Sequence, residues 1–551
     1  MDNAESKPDE MRLRSNVRVT KWKEPPAIAE AAPARRHIER KRKNSGLVCV
    51  LVITVALVSF MVVIVGKMRY QLNPSSEISD ADLGGKLERC DLSSYPRRML
   101  TELKVLDLSR CGNNLNLPDE PILWASFTSL RKLDLNNNQL STLIQSIENI
   151  PSLEILFLSE NEFKDIPEVI QKMKKLKLLS LRGNLITDLS TSNLPIATLE
   201  WLILTNNRIE TVNSNINELK RLKKLMLSHN EISEIPDLSG CQDLELVRIA
   251  DNNIHTAPIS LLTQGKLAWI SLSGNSWISK STPKQGAKVI SENELEIYEA
   301  DVLGSGASGK VYKGSYQSRD VAIKMFRAAS KGSDGNSEDE AYINSFIDTK
   351  YAISALGVIP ATAGDHKYKG MVMELLEGTH PMGLVPSFQT VTRDEGAAPH
   401  ASNLSNEQVM STIWNIASAL EYVHAQGICH GDVYLHNVLR DGEGVARLSD
   451  WGASFQYDRS NEKIASSIEK IEVLAFGRLV QDLFNWNLNV AVPDTTDLGS
   501  YLNTRSGNSI MNLVVSTLQP DQSKRPTFHE IKEKLKVIPE FESFRTLSES
   551  I

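Results

Sequence analysis

The sequence predicts a multidomain chain: one transmembrane helix, an α/β solenoid of stacked repeats, and a separate C-terminal domain. Three observations carry this. An uncharged apolar run occupies Leu47 to Val65. A pattern of leucines and asparagines recurs at a nearly constant period from about residue 100 to residue 278. Beyond it, three short strings stand in order: Gly304 to Val311, Val321 to Lys324, and His430 to Asn437. A chain of 551 residues is also too long for one core, which independently calls for two or three domains.

The formal net charge of −7 argues against a general nucleic-acid binder, and no nucleic-acid partner is expected. Five cysteines (Cys49, Cys90, Cys111, Cys241, Cys429) are too few and too scattered for a disulfide framework, and they lack the C-x-x-C spacing of a zinc site. Cys90 and Cys111 pair only if the region is oxidised; separate buried thiols are the expectation.

The apolar run, flanked by Gly46 and Gly66, is long enough at about 1.5 Å per residue to cross a hydrocarbon core of about 30 Å. A buried core helix would be amphipathic, and this stretch is apolar all round. It starts too late and runs too long for a usual signal peptide. Residues 46–66 are therefore read as a retained membrane anchor, with the lipid bilayer as partner. Arg35, Arg36, Arg40, Lys41, Arg42 and Lys43 precede the span, and only Lys67 and Arg69 follow closely. That asymmetry keeps the N-terminus cytosolic. Residues 1–45 form a basic tail expected to be disordered. Residues 67–99 form a juxtamembrane segment and repeat cap.

From residue 100 to 278 the pattern L-x-x-L-x-L-x-x-N repeats. It begins at Leu103, Leu106, Leu108 and Cys111, becomes regular at Leu130, Leu133, Leu135 and Asn138, and ends at Leu267, Ile270, Leu272 and Asn275. Successive asparagines from Asn138 stand 23, 23, 23, 23, 22 and 23 residues apart. Such regularity identifies leucine-rich repeats. The leucines should point into a solenoid core, and each asparagine should bond the backbone where the chain turns. The intervening strand positions line a concave face: Lys132, Asp134, Glu154, Lys177, Glu200, Trp201, Lys223, Lys224, Glu245 and Arg248. That face is expected to bind a protein ligand or substrate. The repeats cease after Trp277, and 279–294 reads as a linker.

Gly304, Ser305, Gly306, Ala307, Ser308, Gly309 and Lys310 would complete a Walker A loop only with Ser or Thr at 311, to hold a metal; the residue is Val311. The stretch from Val311 to Gln317 alternates like a strand. The string therefore fits G-x-G-x-x-G-x-V on a hairpin, whose glycines let backbone N–H groups approach phosphates. Lys324 stands 15 residues beyond Gly309 in a strand-like V-A-I-K. Asp432 and Asn437 are five residues apart, and Asp450 follows 18 residues after Asp432 in D-W-G. Together these offer a phosphate cradle, a cation, a carboxylate for an acceptor hydroxyl, and metal ligands.

With these strings, residues 295–540 resemble the protein kinases. The resemblance implies an α+β bilobal fold, with ATP and Mg²⁺ as cofactors. It implies that Lys324 contacts the α/β-phosphates and is oriented by Glu340, with Glu338 as the alternative. Val311 and Ala322 would enclose the adenine, Met373 would be the gatekeeper, and the backbone of Glu374 and Leu376 would bind the base. Asp432 would take the acceptor's proton, and Asn437 and Asp450 would hold Mg²⁺. The stretch Glu472 to Gly477 resembles the helix that anchors the catalytic loop, and Lys524 to Phe528 the close of the C-lobe. Residues 541–551 form a C-terminal tail.

The chain departs from the family pattern at several places. Gly431 replaces the usual Arg of H-R-D, Tyr434 stands where Ser/Thr kinases carry Lys, and His436 where tyrosine kinases carry Arg. No strong cation is seen beside the γ-phosphate position. Only 22 residues separate Asp450 from Glu472, with no A-P-E, so the peptide-docking shelf is expected to be cut down. Arg525 is expected to lack its usual Glu partner. The reading is a membrane-anchored protein kinase, with Ser/Thr acceptors favoured; the flanking charges favour a cytosolic N-terminus whereas ATP use favours a cytosolic kinase domain, so the side on which repeats and kinase domain lie stays open. A pseudokinase scaffold and a small-molecule phosphotransferase of the same fold are the alternatives.

Overall fold

The computed structural model describes residues 86–87, 90, 92, 100–278, 287–306, 308–327, 332, 334–361, 368–376, 378–488 and 509–538. The expected tail (1–45), membrane helix (46–66) and C-terminal tail (541–551) lie outside these, as do residues 279–286 of the linker. Among the described residues, no helix is long and apolar enough to cross a membrane.

Nine short strands pair in parallel in one sheet. They are β1 (Lys86–Leu87), β2 (Val105–Asp107), β3 (Lys132–Asp134), β4 (Ile155–Phe157), β5 (Leu178–Ser180), β6 (Trp201–Ile203), β7 (Lys224–Met226), β8 (Leu246–Arg248) and β9 (Trp269–Ser271). The register is repeat on repeat. Leu106, Leu133, Leu156, Leu179, Leu202, Leu225, Val247 and Ile270 stand opposite one another. A three-residue strand sends its middle side chain to one face and its outer two to the other. The middle column is accordingly buried throughout.

The asparagines close each turn. Asn138 Nδ2 donates to the carbonyls of Leu108 (2.8 Å) and Leu135 (3.0 Å), and its Oδ1 accepts from the Cys111 N–H at 2.8 Å. Asn161, Asn184, Asn207, Asn230, Asn252 and Asn275 repeat the double donation. At Cys111, where the first repeat has no asparagine, the expectation of separate thiols is corrected. Cys90 and Cys111 form a disulfide with Cα atoms 5.6 Å apart. The solenoid turn brings together two residues whose spacing in the chain carries no such signal. Cys241 and Cys429 are free and buried.

The C-terminal domain has two lobes. The first holds an antiparallel sheet of β10 (Leu295–Ser305), β11 (Gly309–Tyr316), β12 (Arg319–Phe326), β13 (Ala355–Pro360) and β14 (Tyr368–Glu374), in the order β10-β11-β12-β14-β13. Helix α1 (Ser337–Asn344) follows β12, capped by Asn336, whose side chain accepts from the Glu338 N–H. The second lobe is built on α2 (Asn406–Ala425), α3 (Glu462–Asn487), α4 (Ser509–Thr517) and α5 (Phe528–Lys536). The start of α2 is set by a capping box between Ser405 and Gln408.

The two modules interlock. The last repeat has no successor to cover its apolar end, and a solenoid left open there would expose its core. Ala465, Ile468 and Ile471 of α3, with Cys429, Phe455 and Tyr457, close that end and belong to the same apolar cluster as the repeat leucines. Conversely, Met226, Leu246, Ala268 and Trp269 of the solenoid join the core of the helical lobe. Phe388, from the segment between β14 and α2, packs with Trp201 against the cluster of Ile155, Phe157 and Leu178. The Thr392 hydroxyl donates to Glu245, and Gln522 Nε2 donates to the carbonyls of Leu262 (3.0 Å) and Gln264 (3.2 Å). Arg525 is buried on backbone carbonyls of Gln519 (2.7 Å), Lys470 (2.9 Å) and Gly265 of the solenoid. The concave face expected to await a separate protein is thus largely taken, from β4 to β9, by the chain's own C-terminal domain. The apolar residues interleaved with its charges explain why.

Candidate active site

Lys324 and Glu340 of the first lobe are joined by an ion pair that lies in the field of Asp450 of the second, and Asp432 and Asn437 are bonded to each other in the loop. Lys324 lies on β12, paired opposite Val311 of β11 and Met371 of β14. Its Nζ donates to Oε1 of Glu340, in the first turn of α1, and both residues are buried. Glu338, the alternative, has its N–H bound in the helix cap. Burial works against the Lys324 ammonium, but Glu340 and then Asp450 raise its pKa above the ordinary lysine value. Burial also pushes the Glu340 carboxyl up, against the pull of Lys324. The second Glu340 oxygen is buried without a hydrogen-bond partner.

The glycine hairpin sits above. Gly304 pairs with Val311 and Ser305 with Lys310. The Gly306 N–H donates to the Gly309 carbonyl at 2.9 Å, and the Ser308 carbonyl accepts from the Arg327 N–H at 3.1 Å. Ala307 lies outside the described residues. A Cβ added at Gly304 or Gly306 would meet nothing within 4 Å, so the space beside the hairpin is open. At Gly309 it would lie 2.3 Å from the Met325 carbonyl oxygen, so glycine is required for the strands to approach. At the other end of the sheet, Ala322 stands opposite Met373, and Val321 opposite Glu374. The Leu376 carbonyl beyond them accepts from the Thr379 hydroxyl at 3.1 Å.

The loop from His430 to Asn437 is bound from three sides. Glu472 of α3 accepts from the Gly431 N–H at 2.7 Å, and its other oxygen pairs with His424 Nε2 at 2.6 Å. His430 Nε2 donates to the Ser449 carbonyl at 3.0 Å, so its Nδ1 accepts from the Asp432 N–H at 3.2 Å. Burial lowers the His430 pKa, in keeping with that neutral tautomer. Asn437 Nδ2 donates to the Asp432 carbonyl (3.0 Å) and to Asp432 Oδ2 (2.9 Å). Asp450 sits at φ +58°, a left-handed conformation that Asp tolerates. Burial opposes its charge, but Lys324 and the Gly452 N–H outweigh this and hold its pKa below the usual value. The next residue, Trp451, is buried and donates from Nε1 to the Ile353 carbonyl at 3.0 Å. From Gly452 to Asn461 the chain passes straight into α3 with no helix of its own.

The donor set fits a small hard cation. Asn437 spends both amide hydrogens on Asp432, which leaves its carbonyl oxygen as acceptor. Asp450 is kept anionic. Magnesium asks for one or two carboxylates plus phosphates, not a protein cage. Among the described residues, no group of three or more His, Cys, Asp or Glu forms such a cage.

Sequence reasoning missed what completes the loop. Arg248, on β8, is buried at 2 % exposure. Its Nη2 donates to Asp432 Oδ1, its Nη1 to the Gly431 carbonyl (3.0 Å), and its Nε to Asp334 Oδ1 (2.9 Å). Burial opposes this charge, and Asp432 and Asp334 raise its pKa above the ordinary arginine value. Trp269 donates from Nε1 to the Val433 carbonyl at 3.0 Å. His436, which stands where tyrosine kinases carry Arg, turns to Asp394, whose Oδ2 also accepts from the Leu435 N–H at 2.9 Å. Arg248 was legible as a concave-face residue. The signal that something presses on the loop was Gly431 itself. It adopts φ +76°, and a Cβ there would lie 2.3 Å from the Ile270 carbonyl oxygen of β9.

Residues 298–473 match the protein kinase domain, and residues 128–186 match the leucine rich repeat. Among similar proteins is a probable LIM domain-containing serine/threonine-protein kinase of Dictyostelium discoideum, 26% identical over 342 residues, covering 52% of this chain and 50% of the relative. The serine/threonine-protein kinase mos of Patiria pectinifera is 31% identical over 157 residues, covering 28% and 40%. A tyrosine-protein kinase of Caenorhabditis elegans is 25% identical over 215 residues, covering 36% and 37%. The chain spans half or less of the length of these relatives. It contains a protein kinase domain preceded by leucine-rich repeats.

Proposed function

We propose that the chain is an ATP-dependent protein kinase that phosphorylates Ser/Thr hydroxyls of proteins, tethered to a bilayer by residues 46–66. The observation that carries this is the buried Lys324–Glu340 pair of one lobe lying in the field of Asp450 of the other, with Asp432, bonded to Asn437, and Asp450 both in the field of His436. A nucleotide-free scaffold gains nothing from placing a buried ammonium among these groups.

In this reading, the hairpin Gly304 to Gly309 and Lys324 hold the phosphates of ATP, and Val311, Ala322, Met373, Glu374 and Leu376 surround the base. Asn437 and Asp450 would hold Mg²⁺, which neutralises phosphate charge when bound. The acceptor O–H gives its proton to Asp432 as its oxygen bonds the γ-phosphorus. The bond to the bridging oxygen breaks, ADP leaves, and Asp432 later releases the proton to water. Ser/Thr acceptors are supported by the names of most relatives and by the lack of Arg at 436.

One observation favours a second reading, the pseudokinase scaffold: both Asp432 oxygens already have donors, Arg248 and Asn437. Transfer of labelled phosphate from ATP to a mixed Ser/Thr and Tyr peptide library decides between them. The kinase reading expects transfer by the wild type and a loss of at least about a hundredfold in Asp432→Asn. Equal, background-level incorporation by both proteins would leave the scaffold. Protease accessibility of residues 67–551 in sealed vesicles tests the tether and reads its sidedness.

A further inference from the structure

We propose that Arg248, a residue of the leucine-rich repeats, is a working part of the phosphotransfer site: a positioning residue that orients Asp432 and supplies a fixed positive charge bonded directly to it. This rests on the protein-kinase reading above.

Phosphoryl transfer offers the protein little covalent chemistry. Catalysis comes from positioning and from cations placed where charge moves. Within the loop, neither of the positions near Asp432 that could supply one turns its side chain onto that carboxylate. Tyr434 is stacked on Trp269, and His436 is turned onto Asp394. The guanidinium beside Asp432 comes from β8, 184 residues away in the chain. It is planted in a fixed orientation by three acceptors, Asp432, the Gly431 carbonyl and Asp334. Lys224, on the adjacent strand, lies within the field of the same aspartates. A carboxylate offers about four lone-pair sites, so Asp432 with Arg248 on one oxygen and Asn437 on the other keeps capacity for an acceptor hydroxyl. Its side chain retains 17% exposure for that approach.

The same contact would also suit an inhibitory latch, with the solenoid held over the loop until released. The packing speaks against a latch. Residues of the helical lobe close the solenoid's end within one apolar cluster, and Trp269 is buried in the core of that lobe. Gly431 is shaped to the β9 backbone, with no room for a Cβ. Opening this interface would expose two cores at once, so Arg248 is a permanent neighbour of Asp432.

The test uses the full chain as wild type, Arg248→Met, Arg248→Lys, and Gln522→Ala as an interface control away from the loop. Steady-state kinetics are read with Mg·ATP and the peptide library. Equilibrium affinity is read for Mg·ADP alone and for Mg·ADP with aluminium fluoride, which mimics the transferring group. Arg248→Met should lower kcat by roughly 10²–10³-fold, with KM for ATP and affinity for Mg·ADP changed by no more than about twofold. Affinity for the fluoride complex should fall in step with kcat. Arg248→Lys should recover about tenfold, and Gln522→Ala should match the wild type. A rise in kcat in Arg248→Met would establish the latch and overturn the proposal. An unchanged kcat, or equal losses in kcat and Mg·ADP affinity, would also overturn it. If Arg248→Met does not fold, Arg248→Met/Asp334→Asn, which removes one stranded charge, takes its place under the same criteria. If that also fails, Arg248→Lys decides: a kcat loss with intact Mg·ADP binding sustains the role, and any other result overturns it. A wild type that transfers nothing defeats the kinase reading itself. An active wild type with an indifferent Arg248→Met defeats only this inference.

Discussion

The indole of Trp269 lies flat on the ring of Tyr434, with centroids 4.4 Å apart and planes 4° from parallel. One residue lies on the last strand of the repeats and the other sits in the loop between Asp432 and Asn437. The pair shows that the solenoid is part of the wall of the candidate active site. It also explains Tyr434: an aromatic ring fills the space between loop and solenoid, and a flexible ammonium would not.

Restoring the family's arginine by Gly431→Arg should damage the fold. The new Cβ would meet the Ile270 oxygen at 2.3 Å and the Ala453 oxygen at 2.8 Å, on backbone at φ +76°. Strain and overpacking together should cost about 2–6 kcal/mol. Chemical denaturation reads this, and a variant as stable as the wild type would refute the contact.

Solenoid and helical lobe should melt as one unit. Ile468 of α3 is fully buried in the cluster of repeat leucines. Ile468→Ala should cost about 2–5 kcal/mol. Hydrogen exchange should speed up by the same factor at Val247 and at Leu474. Faster exchange confined to the helical lobe would show two independent domains.

Removing Glu340 should strand Lys324. The pair is buried, and losing one partner of such a pair costs about 3–5 kcal/mol. Glu340→Ala should therefore melt lower and bind Mg·ATP more weakly, with calorimetry reporting both. Glu338→Ala is the comparison, because it leaves the Lys324–Glu340 contact in place.

Lys224 carries a pH prediction. Burial, and then Arg248, lower its pKa to about 8 from the ordinary 10.5. Below about pH 8 both folded and unfolded chains hold the proton, and the folded chain bears the full penalty. Between 8 and 10.5 only the unfolded chain holds it, so this contribution to stability rises with pH. Lys224→Met should be more stable than wild type near about pH 7, with the gap narrowing as pH rises through that window. The ring of Trp201, 4.0 Å from Nζ, offsets part of the penalty. A gap independent of pH in melting curves would reject the shift.

Reduction should loosen the first repeats. The Cys90–Cys111 bridge closes a loop with a sequence separation of 21, for which chain entropy gives about 3 kcal/mol. Mass spectrometry of unreduced peptides should recover the bridge, and a reductant should raise exchange at Leu106 before it does at Leu179.

The sequence by itself determined what is periodic or local. The spacing of Asn138 to Asn275 dictated the ladder, because each asparagine bonds carbonyls of its own and the preceding turn. The strings around Gly304, Lys324, Asp432 and Asp450 named the candidate site residues, because each sits on a short element with its own local logic. Periodicity also placed Arg248 on the concave face. Only the tertiary structure decided what that face meets. Arg248 on Asp432, Trp269 on Tyr434, Ile468 under the last leucines and Cys90 on Cys111 are contacts between segments with no shared pattern. Their energies come from burying surfaces and charges that become neighbours only once both partners have folded, so no spacing in the chain encodes them.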